Sequence, residues 1–287
     1  NNILSKLLSP KVNRWSVAFA QHNKFSKSLW RYNEIKNPRG RFLADPFVFE
    51  NNQNNYIFVE DLFFKDNKGR ISVIKINEKD YEFLGVVLEE DFHLSYPFVF
   101  KNENQIYMIP ESSKKNDIRL YKCLKFPYKW ELDQVLMSDV SATDTMIIKQ
   151  DNTWYMLTNI CSSTKGENSS ELHIFYSNEL KKNTWKPISL GNPVIFDSLE
   201  ARNGGIFFNQ NKVYRVSQSQ GKGHYGKSFN VNEIIKISKN NYIEKKVSII
   251  NPLFKKGITS THHFSANDKF AAVDFARPQR LRSALKN

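Results

Sequence analysis

The stretch "FLADPFVFENNQNNYIFVED", residues 42–61, contains two apolar segments separated by a run of polar residues. Asparagine-rich turns of this kind favour a tight β-hairpin, and the aromatic and β-branched residues on either side favour strands. The same design returns in "LSYPFVFKNENQIYMIPES", residues 94–112. One chain therefore encodes the same hairpin at least twice.

Three further copies begin at Asp144 ("DTMIIKQDNTWYMLTNI"), at Gly204 ("GGIFFNQNKVYRVSQS") and, more weakly, at His262 ("HHFSANDKFAAVDFAR"). Additional strand-like segments lie between the copies, at residues 69–77, 118–124, 171–177 and 228–238. Each repeat thus holds about four strands, and five such repeats predict an all-β fold, a five-bladed β-propeller. A β-sandwich with accidental hairpin similarity is the alternative.

The repeats divide the chain into three parts. Residues 1–38 form an N-terminal segment, in which "WSVAFA", residues 15–20, is a candidate strand for closing the ring with the last blade. Residues 39–278 form the propeller, and residues 279–287 form a basic tail.

The charge of the chain favours anionic partners. Lys and Arg outnumber Asp and Glu by 42 to 29, which gives a formal net charge of +13. Such an excess attracts nucleic acid, phospholipid head groups or acidic polysaccharide. Because the basic residues are spread along the chain instead of forming one stripe, we expect no nucleic-acid partner, while an anionic ligand stays open.

Other sequence signals bound the class of protein. Cys123 and Cys161 lack metal-binding spacing, which argues against structural zinc. No apolar run approaches the roughly 20 residues of a membrane-spanning helix, and residues 1–15 have too short an apolar core for a signal peptide. The first residue is not Met, which leaves room for upstream sequence or a missing fused domain. A cytoplasmic or membrane-peripheral location is favoured.

The start of each repeat carries the candidate site. In a propeller the innermost strand of every blade lines the central channel, so the residues that open these strands converge at one end of the channel. We call this end the mouth. Ionisable groups gathered in one concavity are functional candidates. Those near the mouth are Asp45, Asp144, Glu200, Arg202, His262 and His263.

Aromatic and basic residues extend this set. The segment "RVSQSQGKGHYGKSF", residues 215–229, reads as a mobile loop in which Arg215, His224 and Tyr225 contact an anionic or polyhydroxyl ligand, or as an ordinary exposed loop. Tyr96 and Tyr225 offer ring faces for stacking on a sugar. His262 and His263 could border a cation on the axis, although two histidines do not fill a coordination sphere, so water would supply most of its ligands.

Seven motifs resemble the glucosamine inositolphosphorylceramide transferase-like proteins of bacteria and plants. They are "GRFLADPFVFE", "KGRISVI", "HLSYPFVF", "YMIPESS", "ATDTMII", "ARNGG" and "HYGKSF", and they cover residues 39–263. The first, third and fourth are specific. The resemblance implies a carbohydrate or glycolipid substrate. In the plant members a separate appended glycosyltransferase domain is understood to carry the transfer, and nothing in this chain resembles that domain.

The architecture is more distantly similar to five-bladed glycoside hydrolases of the arabinanase and β-xylosidase type. Carried over by position, that resemblance implies Asp45 as general base, Asp144 as the residue that tunes the acid, and Glu200 as general acid. The nearer family places Ala201 and Arg202 at the fourth entrance instead of a glutamate. If Glu200 points elsewhere, the site would be a binding mouth, or would use another acid such as His93, His224 or His262.

Two classes of function follow from these observations. One is a carbohydrate-active enzyme, a hydrolase-like or glycosyl-transferring site for a surface polysaccharide or glycolipid. The other is a non-catalytic module that binds a glycan or an anionic lipid, with Arg202, Arg215 and the tail holding a negative head group. A protein-interaction scaffold remains a third class, because fold alone does not fix function.

Overall fold

The computed structural model describes residues 11–21, 26–162, 167–181, 184–221 and 223–280. Four-stranded antiparallel sheets follow one another along the chain, and together they form the five-bladed β-propeller that the repeats predict. Within the described ranges the helical elements are two short 3-10 helices, at Leu29–Arg31 and Ser113–Lys115. No helix of the described ranges has the length and hydropathy needed to cross a membrane.

The first two blades each consist of four consecutive strands. Blade I contains β3 (Arg41–Asn51), β4 (Asn54–Phe63), β5 (Lys68–Ile76) and β6 (Tyr81–Leu88). Blade II contains β7 (Ser95–Asn102), β8 (Gln105–Glu111), β9 (Asp117–Lys125) and β10 (Lys129–Ser138).

Blade III is less regular on its outer side. It contains β11 (Ala142–Gln150), β12 (Thr153–Ile160), β13 (Glu171–Ser177) and two short pieces that both pair with β13, namely β14 (Lys186–Pro187) and β15 (Ile195–Phe196).

Blades IV and V belong to one continuous eight-stranded sheet. A single parallel pair, Phe207 with Ala266, joins their inner strands. Blade IV contains β16 (Asn203–Asn209), β17 (Lys212–Gly221), β18 (His224–Ser238) and β19 (Asn241–Ile250). Blade V contains β20 (Phe264–Ala266), β21 (Phe270–Arg280), β1 (Lys11–Gln21) and β2 (Asn33–Glu34).

The last blade takes strands from both ends of the described chain. β1 pairs with β21 in an unbroken antiparallel register from Lys11 opposite Arg280 to Gln21 opposite Phe270. The segment 15–20 lies within this strand. The domain boundaries at residues 38 and 278 stay predictions, and residues 281–287 of the tail lie outside the described ranges.

Turn chemistry explains why the hairpins recur. Asn52-Gln53, Asp151-Asn152 and Gln210-Asn211 all have positive φ at both central positions of the inner hairpin. That left-handed pair matches the right-handed twist of the adjoining strands, and short amide or carboxyl side chains tolerate it best. The polar turn residues thus fix the register that places the next blade.

The segment 215–229, which reads as a loop in the sequence, is a β-hairpin instead. β17 and β18 pair from Tyr214 opposite Glu233 up to Gly221 opposite His224. The prediction of a mobile loop is therefore wrong for most of these residues, because they lie in two paired strands. Gln218 is also fully buried.

Candidate functional site

The same backbone irregularity opens four of the five inner strands. Between Ala44 and Phe47, two residues of β3 face one residue of β4, and equivalent shifts interrupt β7, β11 and β16. Such a β-bulge re-aims the side chain at the bulged position. Asp45, Tyr96 and Asp144 all occupy it with φ near +50°. The fold therefore directs these side chains towards the axis at a cost in backbone strain, and such strain is common at functional sites.

Asp45 lies in a buried and negatively charged environment. Its Oδ2 accepts a hydrogen bond from the backbone N–H of Tyr96 at 3.2 Å, and its Oδ1 lies 3.5 Å from Nε2 of His262. Burial raises the pKa of Asp45 well above its ordinary value; His262 opposes this rise, whereas the charges of Glu60, Asp144 and Asp274 add to it. Asp45 thus gains a proton more readily than an ordinary aspartate.

Asp274 of β21 binds both Asp45 and His262, and it was not among the residues predicted from the sequence. Its carboxylate accepts the backbone N–H groups of Asp45, His262 and His263 at 2.9 to 3.2 Å. Nδ1 of His262 lies 2.6 Å from Oδ2 of Asp274. Burial opposes a charged imidazolium, but Asp274 outweighs it and raises the pKa of His262. The result is a buried aspartate and histidine pair beside Asp45.

An aromatic wall covers His262. Its ring stacks on Trp15 of β1 at a centroid distance of 4.1 Å, and Tyr225 meets it edge-on at 5.1 Å. Tyr225 is 45% exposed, and the guanidinium of Arg202 lies 5.3 Å from the centre of its ring. The predicted contact residues Tyr225, His262 and Arg202 therefore lie together, with Trp15 as an added partner from the other end of the chain.

Asp144 has the opposite environment. Its Oδ2 accepts hydrogen bonds from Nε of Arg202 at 2.6 Å and from Nε2 of Gln218 at 3.1 Å. Gln220 in turn donates to Oε1 of Gln218 at 2.6 Å, which fixes the orientation of that amide. Bonds from a cation and an amide stabilise the ionised carboxylate. Two donors from blade IV, one of them a cation, thus fix the carboxyl group of Asp144.

Glu111, at the end of β8, is a second site residue that the sequence analysis did not single out. Oε1 accepts the hydroxyl of Ser113 at 2.8 Å, and the charge of Asp144 acts on its carboxyl group. Burial and the charge of Asp144 raise the pKa of Glu111 to about 7, although Arg202 and Ser113 oppose the rise. Glu111 therefore exchanges its proton near neutral pH.

The pairing register of the inner hairpins identifies Glu111 as a residue at the mouth. The residue just before each bulge pairs with a residue of the second strand, and that partner also lies at the mouth: Ala44 pairs with Glu60 and Ser95 pairs with Glu111. The equivalent partners in blades III and IV are Asn159 and Ser217. The sequence signal was an acidic residue at or near the end of the second strand in each of the first two hairpins.

His93 lies at the junction of blades I and II. Its Nδ1 accepts the backbone N–H of Gly69 at 3.0 Å, so the ring proton sits on Nε2, which lies 3.2 Å from Oε1 of Glu60. Burial would lower the pKa of His93, but Glu60 outweighs it and raises the pKa. Because Glu60 also acts on Asp45, His93 belongs to the same charged neighbourhood.

Two predicted contact residues lie beneath the mouth instead of in it. Tyr96 and His263 are fully buried, and both rings pack edge-on against Phe47. The Tyr96 hydroxyl accepts the backbone N–H of Gly205 at 3.0 Å, and a Cβ on Gly205 would lie 2.2 Å from the carbonyl oxygen of Phe264. The expectation that Tyr96 stacks on a sugar is therefore wrong, because its ring closes the channel.

His263 is neutral in this layer, since burial lowers its pKa to about 3. His262 and His263 therefore differ although they are adjacent in the sequence. His262 pairs with Asp274 at the mouth, whereas His263 packs among aromatic rings. The predicted ligand contact of His263 is wrong because its ring is fully buried. The ligand contact of His262 stays a prediction.

Arg215 is a structural residue, and its predicted role in holding a ligand is wrong. The side chain is fully buried, and its five N–H donors bond to Glu244, to the backbone oxygens of Glu200 and Ala201, and to Oδ1 of Asn203. No donor remains for a ligand. Arg215 instead fixes the segment that leads to Arg202.

Glu200 and His224 lie at the edge of blade IV. The carboxylate of Glu200 pairs with the ammonium group of Lys246 on the outer strand β19, and the two side chains are 38% and 35% exposed. Nε2 of His224 lies 3.1 Å from both the carbonyl oxygen of Thr259 and the hydroxyl of Ser260. The role of Glu200 as general acid stays a prediction, with its carboxylate occupied by a lysine.

Asp45, His262 and Asp274 also meet the geometric requirement for a small cation site, since one potential ligand atom from each lies within 4.8 Å of the others. Their existing contacts favour a proton instead. Asp274 already accepts three backbone N–H groups, and its effect on His262 favours an imidazolium, which repels a metal ion. The axial cation of the sequence analysis stays a prediction.

The opposite end of the channel is apolar. A cavity of about 490 Å³ opens there among residues from all five inner strands, including Phe98, Phe100, Ile147, Ile206 and Phe208. The layer of Tyr96, Phe47 and His263 lies beside the bulges that open the inner strands. The ionisable groups described above are thus concentrated at one end of the axis.

Fold and site together define a five-bladed β-propeller with a buried, ionisable mouth. Solved structures of this architecture include the catalytic domain of the GH62 α-L-arabinofuranosidase of Coprinopsis cinerea, with a TM-score of 0.57 and 9% identity over 91% of this chain and 97% of that one. A GH43_1 enzyme from Xanthomonas citri has a TM-score of 0.59 and 9% identity over 85% and 89% of the two chains. At such identity the likeness establishes the fold alone.

The chain belongs to the family described as "Glucosamine inositolphosphorylceramide transferase 1, N-terminal", whose model matches residues 32–268. It is 37% identical over 221 residues to glucosamine inositolphosphorylceramide transferase 1 of Oryza sativa subsp. japonica, and 34% identical over 233 residues to that of Arabidopsis thaliana. These matches cover 75% and 78% of this chain but 29% and 30% of the relatives. The chain thus spans under a third of their length.

Proposed function

We propose that the mouth acts on a glycosidic bond of a glycan or glycolipid, by hydrolysis or by glycosyl transfer. The observation that carries the proposal is the pair of aspartates at equivalent bulges, Asp45 and Asp144. Burial and like charges disfavour the ionised form of Asp45, whereas Asp144 accepts a hydrogen bond from the cationic Arg202. Carboxyl groups with divergent proton affinities across one site are the usual equipment for glycosidic chemistry.

The relatives and structural neighbours support the substrate class. The curated relatives are named for transfer to a glycosylated sphingolipid, and the neighbouring structures are titled as glycoside hydrolases. Both groups act on sugars, although by different reactions. The shared element is the glycosidic bond, which is why the proposal names that bond and leaves the acceptor open.

The proposed mechanism uses Asp45 in its ionised form. A carboxylate whose pKa is raised by burial can accept a proton from an attacking water or acceptor hydroxyl, while a new bond forms at the anomeric carbon. Asp144, held by Arg202 and Gln218, positions the acid. Tyr225, as an exposed ring beside Arg202, provides the surface against which a sugar face packs.

The test is product analysis by mass spectrometry with three probes: p-nitrophenyl α-L-arabinofuranoside, p-nitrophenyl β-D-xyloside and a glucosaminyl inositolphosphorylceramide. Wild type is compared with Asp45→Asn and with Asp268→Asn, a matched change at an exposed turn. We expect wild type and Asp268→Asn to release or transfer a sugar and Asp45→Asn to lose this activity.

Two other outcomes overturn the proposal. Equal turnover in Asp45→Asn removes the aspartate from the chemistry. Retained binding of these probes by calorimetry without any product makes the protein a non-catalytic glycan- or lipid-binding module, the other class that the sequence allows.

A further inference from the structure

The proposed function needs a group that delivers a proton to the leaving oxygen, and the inference here rests on that function. We propose that Glu111, which ends the second strand of blade II at the mouth, is this proton donor, and that Glu200 is not. The proposal follows from where three blades bring their carboxyl groups and cations.

The position of Glu111 is set by the hairpin register. Glu111 ends β8 and pairs with Ser95, the residue that immediately precedes the bulge at Tyr96. Its side chain therefore lies at the mouth end of blade II, where the charge of Asp144 of blade III acts on its carboxyl group. Two interacting carboxyl groups disfavour double ionisation, so one of them keeps its proton to a higher pH.

The contacts decide which of the two is protonated. Asp144 accepts Nε of Arg202 at 2.6 Å and Nε2 of Gln218 at 3.1 Å, and both bonds favour its ionised form. Glu111 accepts the neutral hydroxyl of Ser113 at 2.8 Å. The proton therefore belongs to Glu111, and the raised pKa of that residue agrees with this assignment.

Charged and titratable groups from several elements face Glu111. Asp144 on β11 favours the protonated form, whereas Arg202, which precedes β16, opposes it. His93, between β6 and β7, and Tyr225 on β18 are also within electrostatic reach. Groups from the junction of blades I and II, from blade III and from blade IV thus act on one proton, which is the arrangement expected for an acid poised near neutral pH.

Glu200 lacks these conditions. Its carboxylate is bound to Lys246 of an outer strand and is more than a third exposed. An ammonium partner and solvent both favour the ionised form of a carboxyl group, which is the opposite of what a proton donor needs.

The step balances without any further reactant. The glycosidic C–O bond breaks with its electron pair going to the leaving oxygen, which takes the proton of Glu111. The incoming water or hydroxyl forms the new bond at the anomeric carbon and gives its proton to Asp45. Solvent then returns a proton to Glu111 and removes one from Asp45.

The first arm of the experiment needs no substrate. Infrared difference spectra of the whole protein are recorded from pH 5 to 9 for wild type, Glu111→Gln, Asp144→Asn and Glu200→Gln. We expect a protonated-carboxyl band that disappears around pH 7 in wild type and in Glu200→Gln. The component that disappears around pH 7 should be absent in Glu111→Gln, while any band from Asp45 remains, and in Asp144→Asn this component should disappear at lower pH because the neighbouring negative charge is gone.

The second arm compares leaving groups on whichever of the two p-nitrophenyl glycosides wild type turns over. The matching methyl glycoside needs a proton on its leaving oxygen, whereas the nitrophenyl glycoside does not. We expect Glu111→Gln to lose about 10²- to 10⁴-fold in kcat/KM on the methyl glycoside and less than about tenfold on the nitrophenyl glycoside. Glu200→Gln should match wild type on both.

The outcomes separate the two proposals. Absence of turnover by wild type on every substrate overturns the proposed function and, with it, the acid role of Glu111, whatever the infrared band shows. Turnover by wild type that persists in Glu111→Gln on the methyl glycoside overturns only the assignment of Glu111. A selective loss in Glu200→Gln would give the role to Glu200.

Discussion

The entrances of blades I and III have the same backbone and opposite electrostatics. Asp45 and Asp144 both occupy the bulge with φ near +50°. Asp45 faces Asp274, Glu60 and the paired His262, whereas Asp144 faces Arg202 and Gln218. The repeat thus supplies two identical carboxyl groups, and residues contributed by other blades make them chemically different.

In blade II a tyrosine, not an aspartate, occupies the bulge of the inner strand. Tyr96 occupies the same bulge, and its hydroxyl turns to the backbone of Gly205 in blade IV. One backbone position therefore carries a buried aspartate, an aspartate paired with arginine, and a buried tyrosine in three successive blades. The side chain and its neighbours differ while the backbone geometry is the same.

The largest effect is expected from removing Asp274, which defines the neighbourhood of Asp45. Asp274→Ala leaves three buried N–H groups without their acceptor and His262 without its counter-ion, so the free energy of unfolding should fall by about 3 to 5 kcal/mol. Urea denaturation measures the loss. The exposed turn variant Asp268→Ala should stay within about 0.5 kcal/mol of wild type, and equal losses would contradict the buried network.

The next prediction sets the two aspartates directly against each other. Asn is nearly isosteric with Asp and tolerates positive φ, so Asp45→Asn and Asp144→Asn are a matched pair. Asp144→Asn breaks the charge pairing with the largely buried Arg202 and should cost about 2 to 4 kcal/mol at pH 7. Asp45→Asn should cost less than about 1 kcal/mol or stabilise the fold, because a charge disfavoured by burial and by like charges is removed. Urea denaturation measures both variants. A lower urea midpoint for Asp45→Asn than for Asp144→Asn would contradict the opposite environments of the two aspartates.

The pH dependence of stability tests the Glu111 and Asp144 pair. The folded pKa of Glu111 is about 7, above its ordinary value, so the folded state binds this proton more tightly than the unfolded chain. Its contribution is full at low pH and is lost as pH rises towards 7. The free energy of unfolding of wild type relative to Glu111→Gln should therefore fall by about 1 to 3 kcal/mol between pH 4.5 and 7.5. A flat difference across this range would contradict the coupling between Glu111 and Asp144.

The smallest effect is expected at Glu200. Its pairing with Lys246 is at the surface, and such pairs contribute little, so Glu200→Gln should change the free energy of unfolding by less than about 0.5 kcal/mol. Thermal unfolding of this variant beside Glu111→Gln, at pH 5 and pH 8, shows which glutamate is coupled to the mouth. A pH-dependent change in Glu200→Gln would move that residue into the site.

The fold was predictable because its information is local and repeated. Alternating apolar residues and two-residue polar turns fix each hairpin within about 20 residues, and five copies leave few arrangements other than a propeller. The strand at residues 171–177 matches β13. Segments 69–77 and 118–124 match β5 and β9 to within one residue at their starts.

The site was predictable only in part, because its chemistry depends on contacts between distant blades. The position of Asp45 and Asp144 at strand entrances follows from the repeat, but the positive φ that aims them does not. Arg215 and Tyr96 have the residue types of a ligand contact, yet packing across blades buries both. Asp274 lies deep in an apolar strand, and only tertiary contact with His262 gives it a role.

The long ladder between β1 and β21 has a consequence for the order of biosynthesis. The ribosome makes β1 before β21, so the ladder between them cannot form until β21 emerges some 250 residues later. Trp15 on β1 is also the ring on which His262 stacks, and Asp274 on β21 is its counter-ion. A nascent chain that has completed four blades therefore has no finished mouth, and the contacts around His262 form only when the ring closes.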